Sequence, residues 1–148
     1  ISIMTFSRPR YTAGFRKDYD ANTWELTRFC TTRYSTCIGG ASKLFNYFIR
    51  TYCPSKIISF SDIGMTTGKV YSILGFTPAN TIAPSYRWVH LKTDVSLNRL
   101  QCQKSRLSKL LHDDSIDIHT QTEDQIMESH GYVKVYNSGL IRWVYTNV

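Results

Sequence analysis

The sequence predicts an α/β fold of the α+β kind: a mixed sheet around a central βαβ unit, a long helix after a Gly-Gly turn, and a C-terminal β-hairpin. Three observations predict it. The strand-like segment "WELTRFC" leads through Gly39-Gly40 into apolar positions at helical spacing. The largely apolar run "KIISFS" follows at strand length, as suits a strand covered on both faces. Strand, helix and buried strand in this order imply a right-handed crossover and a parallel pair. At 148 residues, 42% of them hydrophobic, the chain has the length and composition for a sizeable core, which excludes a disordered chain. A single domain over residues 1–148 is expected, with further sequence upstream of Ile1 because no initiator Met stands first.

"ISIMTF" alternates and reads as a strand; "SRPRYTAGFRKDYDANT" reads as a basic loop broken by Pro9 and Gly14. "WELTRFC" is again strand-like, its alternation putting Trp24, Leu26 and Arg28 on one face. Ala41, Leu44, Phe45, Phe48, Ile49 and Tyr52 fall at i, i+3, i+4, i+7, i+8 and i+11, an amphipathic helix that Pro54 stops. "TTGKVYSILGF" predicts a short helix with Val70, Ile73 and Leu74 inward and Gly75 closing it. "SYRWVHLKT" predicts a strand, and "LNRLQCQKSRLSKLLH" a helix carrying Leu97, Leu100, Leu107, Leu110 and Leu111. After the acidic connector "DDSIDIHTQ", "TEDQIMESHGY" predicts a helix with acids in its first turn and Gly131 at its end. "YVKVYNSGLIRWVY" reads as the hairpin, turning at Asn137-Ser138-Gly139.

The formal charge of +7 is uneven. Residues 1–60 carry nine Lys/Arg against three Asp/Glu, residues 61–110 seven against two, and residues 111–148 two against six. Such a basic excess suits a polyanion, either nucleic acid or a cofactor phosphate, although basic faces also occur simply as solvated surface. Cys30, Cys37, Cys53 and Cys102 lack CxxC spacing, and His90, His112, His119 and His130 are scattered, so no metal site is expected. The thiols are expected reduced and mostly buried. No apolar run has bilayer-spanning length, so no membrane is expected as partner. The sequence leaves the oligomeric state open.

Gly39-Gly40 follows a strand and opens a helix, where free backbone N–H groups face an anion, with Ser42 and Lys43 in the first turn. It is neither a GxxxxGK[ST] loop nor a GxGxxG fingerprint. Two readings stand: an anion cradle, or glycines that only permit a tight turn. Asp62, at the C-terminal end of the buried strand, sits where open α/β sheets contact ligands; it serves as a base or an amine-orienting group, or caps the next turn. Arg8, Arg10, Arg16 and Lys17 interleave with Tyr11, Phe15 and Tyr19, a pattern that suits phosphates and exposed bases. Nuclease motifs of acid–x–Lys, HNH or GIY type are missing from these residues.

The order "ELTRF", "IGGASKLFNYFI", "KIISFSD", "GKVYSILGF" resembles the GNAT superfamily of N-acetyltransferases. The resemblance implies two splayed strands and an acetyl-CoA pyrophosphate loop at Ile38, Gly39, Gly40, Ala41, Ser42 and Lys43. Gly39 and Ala41 match the loop's Gly-x-Gly/Ala element, and Tyr71 matches the tyrosine that protonates the leaving thiolate, unless it only packs the core. Arg28 would hold an anionic group, or lie on the solvent face. The family's Arg or Gln three residues before the first glycine is Thr36 here, with Arg33 one turn too early. Within that superfamily, "ELTRF", "ASKLFNYFI" and "SFSD…GKVY" resemble the Mom-type phage DNA-modification group, which acts on adenine. With "MTFSRPRY" and "GYVKVYNSG" added, the chain from Ile1 to about Val144 is similar to a domain C-terminal to the nuclease of phage Hef-like homing endonucleases. These resemblances imply DNA as partner, the cytoplasm of a phage-infected cell as location, and either CoA-dependent adenine modification or non-catalytic DNA targeting. Any scissile chemistry would lie upstream of Ile1.

Overall fold

The computed structural model describes residues 1–10 and 19–147. It is a mixed α/β chain with, among the described residues, eight strands in two sheets and four α-helices. The chain divides into two compact units, Ile1–Ala83 with Gly139–Val148, and Pro84–Ser138.

In the first unit the strands are β1 (Ser2–Ser7), β2 (Thr23–Thr31), β3 (Lys56–Asp62), β4 (Thr77–Ile82) and β8 (Leu140–Thr146), in sheet order β1-β2-β3-β8-β4. Helix α1 (Gly40–Tyr52) joins β2 to β3, which are parallel as the strand–helix–strand order requires. The helix buries Phe45 and Phe48 against Leu26, Ile57, Leu74, Phe76 and Trp143. Each such ring contributes roughly 2–3 kcal/mol on leaving water. Phe48 stacks on Phe6 at 3.5 Å between centroids and meets Trp24 edge-on. Cys53, left-handed at φ 43, ends α1 with its amide on the Ile49 carbonyl, and Pro54 bars any extension.

The parallel ladder is short. It pairs Thr23, Trp24 and Glu25 with Lys56, Ile57 and Ile58, and no β2–β3 pair follows. Beyond it β2 carries a bulge: adjacent Thr5 and Phe6 of β1 pair with Arg28 and Leu26, leaving Thr27 as the extra residue. A bulge bends its strand and raises the local twist, so β2 turns away from β3 at this point. It also resets the alternation. Trp24 and Leu26 face α1, but so do Phe29 and Thr31, which shifts Arg28 to the other face with Thr5. The expectation that Arg28 shares a face with Trp24 and Leu26 is thereby corrected.

Polar ties hold the closed end of the pair. The Asp20 carboxylate accepts from Thr23 Oγ1 at 2.6 Å, from Ser55 Oγ at 2.8 Å and from the Asn22 amide at 3.0 Å, joining the starts of β2 and β3. These bonds, that of Thr23 foremost, hold its pKa below the ordinary carboxylate value. Glu25, 1% exposed, receives the Arg10 guanidinium on one oxygen and the Arg10 amide on the other.

Four further expectations are corrected. In α2 (Lys69–Ile73) Leu74 and Val70 pack inward, but Ile73 is 64% exposed, because the five-residue helix presents only one turn to the core. No hairpin joins the last two strands: β7 (Tyr132–Tyr136) pairs with β5 (Tyr86–His90), and β8 pairs with β3 and β4. The helix expected over Leu97–Leu111 is broken. Leu97 lies in β6 (Ser96–Asn98), and only Lys104–Arg106, a 3-10 turn, and α3 (Leu107–Leu111) are helical. Reciprocal bonds between Asn98 and Gln101, amide to side chain in both directions, supply a turn instead of a helix. Finally, Cys30, Cys37 and Cys53 are exposed, and only Cys102 is buried, its thiol pushed up to about 11 chiefly by burial.

The Pro84–Ser138 unit has its own core of Trp88, Cys102, Leu107, Ile126 and Met127 under the sheet β6-β5-β7. Helix α4 (Glu123–Ser129) carries the expected acidic first turn, and Thr122 and Gln125 form a capping box at its start. Glu123 accepts from Tyr86 and Trp88, at 2.9 Å each.

Two outcomes test the closed end. Arg10→Ala lowers the urea-unfolding free energy by about 1.5–3 kcal/mol, because Glu25 loses a charged donor while staying buried. Asp20→Asn destabilises the protein at neutral pH. The folded pKa of Asp20 is depressed, so its contribution is present above the unfolded value of about 3.9 and is lost as pH falls through the lower folded value. The wild-type and Asp20→Asn curves therefore converge below about pH 4 in unfolding titrations.

Candidate functional site

Where β2 leaves β3, the start of α1 faces a groove of about 460 Å3. Phe29 and Thr31 of β2 form one wall, Ser35, Thr36 and Cys37 of the connecting loop another, and Lys69, Val70 and Ile73 of α2 a third. Gly39, Gly40, Ala41 and Ser42 form its end.

The two glycines act differently. Gly39 is the N-cap of α1 at φ 70, and a Cβ there would meet nothing within 4 Å, so it supplies conformation and leaves open space. Gly40 is buried, and a Cβ there would come within 2.8 Å of Cys37 Sγ, so it supplies close approach. No side chain caps α1. The Gly40 amide donates to the Cys37 carbonyl at 3.0 Å and the Lys43 amide to Gly39 at 2.9 Å. Among the described residues, the Ala41 and Ser42 amides have no acceptor, and their dipoles favour an anion at this end of the 13-residue helix.

At the fork itself, Ser59 Oγ, buried, donates to the Leu26 carbonyl at 2.8 Å and lies 3.2 Å from the Tyr71 hydroxyl. That hydroxyl donates in turn to the Phe60 carbonyl at 3.2 Å. Tyr71 is half-buried and stacks on Trp143 at 5.3 Å, and Trp143 is fixed by its indole N–H on Ser61 Oγ at 2.8 Å. A Cβ at Gly68, φ 71, would collide with the Trp143 indole, so glycine there lets α2 settle on that ring.

The remaining sequence-derived residues are dispersed. Ile38 is 92% exposed beside the groove and Lys43 is exposed in the first turn. Asp62 accepts from the Gly64 amide at 2.8 Å, closing the turn after β3, and does not line the groove. Arg28 is exposed on the sheet face opposite α1. Arg8 lies over Trp24 at 4.3 Å and donates to the Ala21 carbonyl, and Arg10 is committed to Glu25. Arg16 and Lys17, with Tyr11 and Phe15, lie outside the described residues. Sequence reasoning missed Phe29, Cys37, Ser59 and Lys69. Lys69 directly after the helix-opening Gly68 was a legible signal; Phe29 was not, since the Thr27 bulge that turns it inward leaves no mark in the alternation.

Charge concentrates on this unit. It holds eleven of the eighteen Lys/Arg and four of the eleven Asp/Glu, so the whole net +7 resides there and the Pro84–Ser138 unit balances seven against seven. No acid stands between Glu25 and Asp62. Among the described residues, Arg28, Arg33, Lys43 and Lys69 form no ion pair. Among the described residues, no group of three or more potential metal ligands stands together, and no helix is long and apolar enough to cross a membrane.

No protein-family profile matches this chain, and no curated protein sequence matches it significantly.

Substitutions at the glycines separate their roles. Gly39→Ala costs about 1–2 kcal/mol of stability, the left-handed penalty alone. Gly68→Ala adds overpacking against Trp143 and costs about 1–3 kcal/mol more. Equilibrium unfolding of both variants checks the order.

Proposed function

We propose that this chain is an acyl-CoA-dependent transferase domain that modifies a nucleobase in DNA, adenine by its resemblance to the Mom-type phage group. The observation that carries the reading is the groove at the start of α1: β2 pairs with β3 for only three residues, its later residues Phe29 and Thr31 wall the groove, and the unpaired amides of Ala41 and Ser42 stand at the groove's end. Its volume lies within the range of small-ligand sites. Bound acetyl-CoA supplies an activated thioester. The Ala41 and Ser42 amides and the Lys69 ammonium bind phosphate charge, Gly39 leaves room for it, and Phe29, Val70 and Ile73 offer apolar contact. By the resemblance Tyr71 serves as the general acid; its hydroxyl, held by Ser59 and the Phe60 carbonyl, does not itself line the groove, and its chain neighbour Val70 does. DNA is drawn by the uncompensated positive charge of the unit.

The second reading, a non-catalytic DNA-targeting module of a phage homing endonuclease, is favoured by one observation. Asp62, the expected base, is engaged by the Gly64 amide and does not line the groove, and among the described residues no carboxylate lines it.

Ser42→Glu and calorimetry with acetyl-CoA test the first reading. An acid in the first turn suits the helix dipole, so stability holds or rises, yet the added charge repels phosphate. Acetyl-CoA affinity is expected to fall at least about tenfold (1.4 kcal/mol). Tyr71→Phe keeps that affinity and lowers turnover about 100-fold. A wild-type domain that binds no acetyl-CoA removes the transferase reading and leaves the targeting module.

A further inference from the structure

The loop between β2 and α1 carries a side chain that neither the core nor the groove uses. Tyr34 is 92% exposed and its backbone is left-handed at φ 64. Asn, Asp and Gly adopt that region readily; a bulky aromatic does so at a cost, and here no packing offsets it. The conformation is held deliberately. The Ser35 amide and hydroxyl both donate to the Thr32 carbonyl, at 3.1 and 2.8 Å, and the Thr32 amide and hydroxyl both donate to the Ile1 carbonyl, at 2.8 and 2.9 Å. The Arg33 guanidinium lies 4.8 Å from the Tyr34 ring centroid, with no ion pair among the described residues. Ser35, Thr36 and Cys37, the next residues along, wall the groove.

We propose that Tyr34, backed by Arg33, is a stacking platform for an unpaired base of single-stranded DNA, set at the edge of the groove. The inference rests on the DNA reading above and names its substrate form. Three features point to a nucleic-acid base as the occupant. An aromatic face backed by a guanidinium is the pairing that single-strand binders use on successive bases, and any base offers the matching π-face. Arg33 and Lys43, in a stretch that has no acid between Glu25 and Asp62, and Lys69 of the groove wall give phosphates cationic partners. Chemistry on a nucleobase also requires that base outside the duplex stack, so a clamp on its neighbour beside the groove suits the reaction.

Fluorescence anisotropy with a labelled single strand of about 12 nucleotides, and with the matching duplex, tests it. Tyr34→Ala is expected to weaken single-strand binding about tenfold while leaving duplex affinity and the salt slope unchanged, because a stacking contact and no phosphate contact is removed. Tyr34→Trp retains the affinity, which shows that the loop still folds with its φ constraint. Arg33→Gln lowers the salt slope by about one. Single-strand affinity unchanged in Tyr34→Ala overturns the platform, as does an equal loss for duplex and single strand, or a loss confined to acetyl-CoA binding. A wild-type protein that binds neither DNA form at low salt overturns the DNA reading itself, which a failure at Tyr34 alone does not.

Discussion

Two parallel strands that hold each other for three residues and then separate need an anchor on each side of the point of parting. The closed side is anchored by Asp20, which gathers Thr23, Asn22 and Ser55, and by the buried Glu25 with its Arg10 partner. The open side is anchored by two side-chain hydrogen bonds and a ring stack: Ser59 to the Leu26 carbonyl, Tyr71 to the Phe60 carbonyl, and Trp143 against Tyr71. The bulge at Thr27 then converts separation into shape, because it turns Phe29 and Thr31 toward the helix side just where β2 is no longer tied to β3. The wall of the groove on the β2 side is a consequence of that arrangement. An anion entering there meets amides already oriented by the helix, and little reorganisation is required on binding.

Much of this architecture was legible in the sequence. Local patterns sufficed for α1, whose six apolar positions at helical spacing and following Pro54 leave no other reading, and for the parallel pair around it. The sheet partners of the last two strands were not legible. Asn137-Ser138-Gly139 has turn chemistry, but hydrogen-bonding partners are chosen by the whole fold, and β7 and β8 go to different sheets. The helix expected over Leu97–Leu111 failed for a related reason: leucine spacing is a weak signal beside the Asn98–Gln101 side-chain bonds that compete for the backbone. In the candidate site, Gly39 to Ser42 were found because glycine before an amphipathic run has a local cause. Ser59 was missed because its role depends on a strand partner far along the chain.

The basic residues illustrate the difference between a charge and an available charge. Arg10, prominent in the sequence, neutralises a buried carboxylate, and Arg8 lies on an indole. Among the described residues Arg28, Arg33, Lys43, Arg50 and Lys69 form no ion pair; they come from separate parts of the unit, Lys69 lines the groove, and Arg33, over the Tyr34 ring, stands in its loop. Net charge marked the first 110 residues, a stretch that runs into the Pro84–Ser138 unit; the structure assigned the excess to one unit and sorted the side chains within it.

The Pro84–Ser138 segment leaves the chain after β4 and returns just before β8, and these two strands are antiparallel neighbours, with Ile82 opposite Leu140. Its own two ends are tied by reciprocal bonds between Ser85 and Asn137. Exit and entry are thus already adjacent, so the segment occupies the position of a hairpin tip, and a graft of another self-contained cassette at that tip need carry little extra closure entropy. The pairing of β4 with β8 brings the two chain ends together whatever the segment between them folds into.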